Sequence, residues 1–209
     1  MIAVCDYGIG NLASAEKALL AVGAPARLVR RPEEAAQASG IVLPGVGSFA
    51  ACAKALRNSG FDELCRAAVL EERPLLGICV GMQLLFEASE ESPGTAGLGL
   101  LGGVVRRLPP GRRRPQMQWN LVTPTRPNGL LATPEWFYFV HSYYAVPERD
   151  DDVLARADYG VCLPAVVGRG RLLATQFHPE KSGPAGLWLL ARFAESCAAT
   201  WWSSGPPST

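Results

Sequence analysis

Short apolar runs alternate with amphipathic stretches along the first two-fifths of the chain. Ile2–Cys5 is a brief apolar run with β-branched residues, closed by Asp6-Tyr7-Gly8-Ile9-Gly10. Leu12, Ala15, Leu19 and Val22 then share one helical face, Ser14, Glu16 and Lys17 point away, and Gly23 marks the stop. The same rhythm predicts strands over residues 26–29, 41–43 and 74–78. It predicts helices from Pro32 and over residues 50–57, 62–71 and 81–88. The strands are continuous apolar runs rather than alternating ones, which suits strands covered on both faces.

After about Gly94 the pattern changes. Glycine and proline become dense, and strands are predicted over residues 118–122 and 136–146. A hairpin follows from 165–168 to 171–177, turning at Gly168-Arg169-Gly170. A last helix over 184–199 carries Leu187, Leu190 and Ala194 on one face. Repeated β-α-β units predict an α/β fold with a mostly parallel central sheet flanked by helices, and an additional antiparallel portion in the C-terminal half. Residues 1–202 are expected to form a single domain, and 203–209 a disordered tail.

Composition narrows the function classes. The chain has 209 residues, 48% hydrophobic and 19% charged, enough for a sizeable core. A net charge of +1 gives no general attraction to nucleic acid or anionic membrane. The arginines between Arg106 and Arg114 read as a solvated face rather than a nucleic-acid site. Neither a basic leader nor a membrane-length apolar run is visible, so the expected location is the cytoplasm. None of the six cysteines falls in a C-x-x-C pair, and the two histidines, His141 and His178, exclude a histidine-rich metal site. No metal or cofactor is expected.

Gly77-Ile78-Cys79-Val80-Gly81 follows an apolar strand and opens an amphipathic segment. It is the cysteine counterpart of the G-x-S-x-G elbow, in which small neighbours allow a sharp strand-to-helix turn. Cys79 would be presented at the carboxyl edge of the sheet, with a helix N-terminus favouring its thiolate and the Val80 N–H free for an oxyanion. Gln176-Phe177-His178-Pro179-Glu180 supplies a base and its orienter. Pro179 biases His178 to an extended backbone, so Glu180, two residues on, projects to the same side and can fix the ring. His141 sits in an aromatic-rich strand and suits a substrate-side role.

At these residues the chain resembles the class I (triad) glutamine amidotransferases. G-I-C-V-G-M-Q at 77–83 is similar to that family's nucleophile motif, Q-F-H-P-E at 176–180 to its His/Glu motif, and P-G-V-G at 44–47 to a third. A finer resemblance, to the glutaminase subunits of imidazole glycerol phosphate synthases, is carried by D-Y-G-I-G-N-L (6–12), P-G-V-G-S-F (44–49), Y-F-V-H-S-Y (138–143) and H-P-E-K-S (178–182). It implies hydrolysis of L-glutamine through a cysteinyl thioester, and ammonia passed to a (β/α)8 cyclase subunit in a heterodimer. Cys79 would be nucleophile, His178 acid/base and Glu180 orienter. Val46 and Gly47 would sit on a strand whose peptide turns to complete the oxyanion hole with Val80. Gly45, Gln83, His141, Ser142 and Tyr143 would meet the glutamine. Asn11, Trp119, Tyr138 and Lys181 would face the cyclase or the ammonia passage. The family's P-H-x-G-W-N stretch departs here to Pro115-Gln116-Met117-Gln118-Trp119-Asn120, placing two glutamines near the expected partner face. A glutaminase for another synthase, or a binding module without activity, are the alternatives; H-P-E-K-S and the intact Cys, His and Glu weigh against them.

Overall fold

The computed structural model describes residues 1–126 and 129–198, so the expected tail at 203–209 lies outside the described residues. The N-terminal half runs β1 (Ile2–Cys5), α1 (Leu12–Ala21), β2 (Ala26–Val29), β3 (Gly40–Gly45), α2 (Phe49–Asn58), α3 (Phe61–Leu70), β4 (Leu75–Cys79) and α4 (Val80–Gln83). Then come β5 (Ala88–Ser89), β6 (Gly103–Arg107), β7 (Gln116–Pro124), β8 (Glu135–His141), β9 (Tyr143–Pro147), β10 (Val153–Asp158), β11 (Cys162–Arg169), β12 (Leu172–Thr175) and α5 (Gly183–Ala198).

Nine strands form one sheet in the order β2-β1-β3-β4-β12-β11-β10-β7-β8. From β2 to β12 the neighbours are parallel, and from β12 to β8 they are antiparallel. The predicted antiparallel portion is thus continuous with the parallel one. A second sheet, β5-β6-β9, lies beside it. β1, β3, β4 and β12 are buried at every position, as their unbroken apolar runs require. α1 packs on α5 and α2 on α3. No helix among the described residues is long and apolar enough to cross a membrane.

Five expectations are corrected. The segment from Pro32 is a 3-10 turn, and the helix over 81–88 shrinks to Val80–Gln83. The carbonyls that a longer α4 would use internally are taken by a returning loop: Leu98, Leu100 and Gly99 N–H donate to the Leu84, Leu85 and Phe86 oxygens at 2.7, 2.8 and 3.2 Å. The long strand over 136–146 breaks at Ser142, after which the chain leaves β7 for β6. On α5 the buried stripe is Gly186, Leu189, Leu190 and Phe193, and Leu187 is on the outside. The hairpin turns at Gly170-Arg171, with Arg169 opposite Leu172 and Gly170 at φ +58°.

Candidate active site

β4 delivers Cys79 with φ +55° and ψ −110°, a left-handed backbone at a non-glycine residue. Such strain persists only where the surroundings impose it. Here β3 and the elbow meet backbone to backbone. A Cβ on Gly81 would lie 1.9 Å from the Leu43 oxygen, and one on Gly45 would lie 2.7 Å from the Gly81 nitrogen. Gly45 therefore packs directly against the elbow, where a side chain would not fit. Gly81→Ala should cost roughly 3 kcal/mol, measured as a lower urea midpoint, because the obstacle is backbone that no rotamer change removes.

Cys79 is 4% exposed and opens on a cavity of about 250 Å³ that also receives Val46, Gly47, Val80, Gln83, His141, Ser142, Tyr143 and His178. A larger cavity of about 280 Å³ lies between the β11–β12 turn and α5. It contains neither histidine nor Cys79, and its Arg169 is already paired with buried Asp152. The smaller one, lined by Cys79 and both histidines, is the candidate site.

β12 leads into a 3-10 turn at Pro179–Lys181, and this turn brings His178 and Glu180 together. Both side chains are 2% exposed, and His178 Nδ1 meets Glu180 Oε1 at 2.7 Å. The backbone is locked by His178 N–H donating to the Tyr138 oxygen at 3.0 Å and by Ser182 Oγ donating to the His178 oxygen at 2.6 Å. Burial opposes charge on the ring, but the neighbouring Cys79 sulfur and Glu180 carboxylate outweigh it and push His178 up to about 10. Nδ1 is committed to Glu180, whereas Nε2 is buried with no formed hydrogen bond among the described residues. One ring nitrogen is therefore oriented and the other remains available for proton transfer.

His141 is tuned the other way. Burial lowers it to about 4, with a smaller contribution from His178, so it stays neutral at ordinary pH. Its Nδ1 lies 2.9 Å from the Tyr143 oxygen. A carbonyl can only accept, so Nδ1 carries the proton and Nε2 presents a lone pair. Gln83 Nε2 donates to the same oxygen at 2.9 Å.

Val46 and Gly47 lie past the end of β3, not on a strand. The Val46 oxygen accepts from Cys52 Sγ at 3.1 Å. In a trans peptide N–H and C=O oppose each other, so the Gly47 N–H points away from Cys52. Gly47 has φ +83°, which favours glycine there.

One expected placement moves and another gains a contact. Asn11, expected to face the cyclase or the ammonia passage, is half-buried and donates from Nδ2 to Glu180 Oε1 at 3.2 Å. Gln116 is fully buried opposite His141 across the β7–β8 ladder, away from the surface where Gln118 is exposed. Trp119 is half-exposed, Tyr138 partly buried beside it with ring centroids 6.2 Å apart, and Lys181 exposed. Two residues were not anticipated. Glu91 reaches the cavity and accepts from the Phe49 N–H at 2.7 Å. Gln176, quoted above only as part of a motif, is wholly buried with its amide nitrogen 3.9 Å from Cys79 Sγ. Glu91 lies in an unremarkable acidic run, and only the tertiary fold brings it here.

The glutamine amidotransferase class-I family model matches residues 3–196. The imidazole glycerol phosphate synthase subunit HisH of Symbiobacterium thermophilum is 50% identical over 195 residues, spanning 92% of each chain. The subunit of the same name from Methanothermobacter thermautotrophicus is 46% identical, spanning 93% of this chain and 98% of its own. A crystal structure of a glutamine amidotransferase superposes with TM-score 0.77 at 26% identity, covering 95% of this chain and 99% of that one. The PurLQS structure from Thermotoga maritima, at 20% identity and TM-score 0.75 over 93% of this chain and 97% of that one, shares the fold. By the span of the family model and the identity of these relatives, the chain belongs to the class-I glutamine amidotransferases.

Proposed function

We propose that this chain is the glutaminase subunit of an imidazole glycerol phosphate synthase, acting in the cytoplasm within histidine biosynthesis. The observation that carries the chemistry is the strained, buried Cys79 sharing one cavity with a Glu180-oriented His178. The Cys79 thiolate attacks the side-chain amide carbon of L-glutamine. The tetrahedral oxyanion is met by the Val80 N–H and by the N–H groups of the 46–47 turn. His178 gives its proton to the leaving nitrogen, ammonia departs, and a thioester to Cys79 remains. Water then attacks the thioester, His178 takes its proton, and glutamate leaves with the thiolate restored. Glu91 is the carboxylate placed to receive the substrate ammonium, and neutral His141 offers an acceptor on the cavity wall.

The exposed face of the β7–β8 ribbon supports a protein partner. Met117, Trp119, Leu121 and Trp136 are 61%, 48%, 38% and 55% exposed, and register pairs them into one stripe with Tyr138 and Val140. A contiguous apolar patch of this kind marks an interaction surface. It adjoins His141 at the end of β8, so a (β/α)8 cyclase seated there would receive ammonia close to its source.

The test is the steady-state glutaminase rate of the chain alone, with the cyclase, and with the cyclase plus its nucleotide substrate. The chain alone should be slow, and the complete mixture faster by about 10²–10³-fold, the worth of one oxyanion donor brought into place. Trp119→Ala should weaken cyclase binding by at least roughly 10-fold, as a buried aromatic anchor does. A chain already at full speed alone, together with unchanged cyclase binding by Trp119→Ala, would sink the coupled reading.

A further inference from the structure

A chain of side-chain amides runs beneath the nucleophile and joins it to the cavity wall. Gln83 Nε2 donates to the Tyr143 oxygen at 2.9 Å and to Gln176 Oε1 at 3.1 Å. Gln176 Nε2 lies 3.9 Å from Cys79 Sγ, and the Gln176 backbone is pinned by its N–H donating to the Ala165 oxygen at 2.9 Å.

The polarity of this chain is set at its far end. A backbone carbonyl only accepts, so Gln83 must turn its NH2 group toward Tyr143. The same nitrogen reaches Gln176, which must answer with its oxygen. The NH2 group of Gln176 is then left on the side of the sulfur. Exchanging oxygen and nitrogen in either amide would set two acceptors or two donors face to face in a dry interior, which is costly. Packing alone does not call for an amide at a fully buried position, since an apolar side chain of similar length would fill the space without needing partners.

We infer that Gln176 is a positioning residue for the glutaminase reaction: its amide N–H holds the Cys79 sulfur in place, and Gln83 ties that hold to the wall that glutamine touches. The inference rests on the proposed reading of Cys79 as the nucleophile. An N–H donor facing sulfur favours the thiolate over the thiol, because hydrogen bonds to ionised acceptors are the stronger ones. The other titratable groups around the sulfur are His178 after β12, His141 at the end of β8, Tyr143 on β9, Cys52 on α2 and Glu91 in the cavity. None of them is changed by Gln176→Met, so the difference between that variant and the unmodified chain reports on the amide.

The experiment uses the full chain and iodoacetamide as the probe. Rates of Cys79 alkylation are followed against pH in the unmodified sequence, Cys79→Ala, Gln176→Met and Gln176→Glu, alongside kcat and KM for glutamine with the cyclase present. Gln176→Met keeps the length and loses the N–H. Gln176→Glu keeps the shape and the acceptor for Gln83, but places an oxygen where the sulfur had a donor. Alkylation of Gln176→Met at neutral pH should fall about 10-fold. Gln176→Glu should fall further, and in both kcat should drop while KM stays within about threefold. A residue that only packs would lower the unfolding midpoint and leave the alkylation profile where it was, and that result overturns the inference. Failure of both variants to fold would likewise reduce Gln176 to a core residue and overturn it. If Cys79→Ala turns over glutamine as fast as the unmodified chain, the reading of Cys79 as nucleophile is what fails.

Discussion

Cys79→Ala should lower glutamine hydrolysis to below about 10⁻⁴ of the unmodified rate, the scale on which loss of a covalent nucleophile acts. The reason is local. The elbow presents one side chain to the cavity at its strained turn, and neither adjacent residue, Ile78 or Val80, carries a nucleophile. Cys52 is the other thiol nearby, but its Sγ is engaged with the Val46 oxygen, and burial raises it above the ordinary thiol range. The fold should survive, because alanine keeps the Cβ and the surrounding contacts of the turn are made by glycine backbone. Cyclase binding should survive as well, because the exposed stripe on β7 and β8 does not include residue 79. The variant complex supplied with ammonium at alkaline pH should therefore still form the cyclase product, while glutamine supports none. Retained glutamine turnover would remove Cys79 from the mechanism, and loss of the ammonium-dependent reaction would mean that the substitution had disturbed the partner.

How much of this could be read from the sequence differs by the kind of interaction. The parallel half was legible because burial on both faces writes an uninterrupted apolar run, as in Ile2–Cys5 and Leu75–Cys79. The elbow and the His178–Glu180 pair were legible because both are local: a strained turn demands its glycines, and the pair lies two residues apart, although a 3-10 turn rather than the expected extended segment brings it together. The break at Ser142 was not, since both halves of that stretch are apolar and half-buried and only the choice of partner strand changes. β10 escaped notice because its buried positions, Val153, Ala155 and Ala157, are small and alternate with Arg156 and Asp158, behind an acidic turn. Asn11, Glu91 and Gln176 act through residues 169, 42 and 97 positions away, so no local pattern could assign them. The close packing of Gly45 against the elbow was not legible, because backbone approach across two elements is a tertiary fact.

Glu180→Gln should lower kcat/KM for glutamine by about 10²–10⁴-fold, less than His178→Ala. An amide can still meet the ring, but it cannot stabilise the imidazolium, and its NH2 group can turn toward Nδ1 and force the wrong tautomer. Asn11 sharpens the effect. It donates to the same Oε1 that His178 meets, so an amide at 180 that kept its oxygen there would have to place its NH2 at the Oε2 position, which is buried and has no partner among the described residues. Two pH dependences should change together. With His178 held up to about 10, the activity that needs its proton should fall off near that pH. Losing the Glu180 charge should move this alkaline limb to lower pH. Stability follows the same group. A histidine whose folded value lies above its unfolded value of about 6.5 contributes stability that is fully present below pH 6.5 and is lost as pH rises toward 10. The unmodified chain should therefore lose urea stability between those limits, and Glu180→Gln should show a shallower loss from a lower starting point. The measurement is the urea midpoint at pH 6 and pH 9.5 in both chains. Parallel losses in the two would show that Glu180 is not what holds the proton on His178, even if the kinetic defect is present.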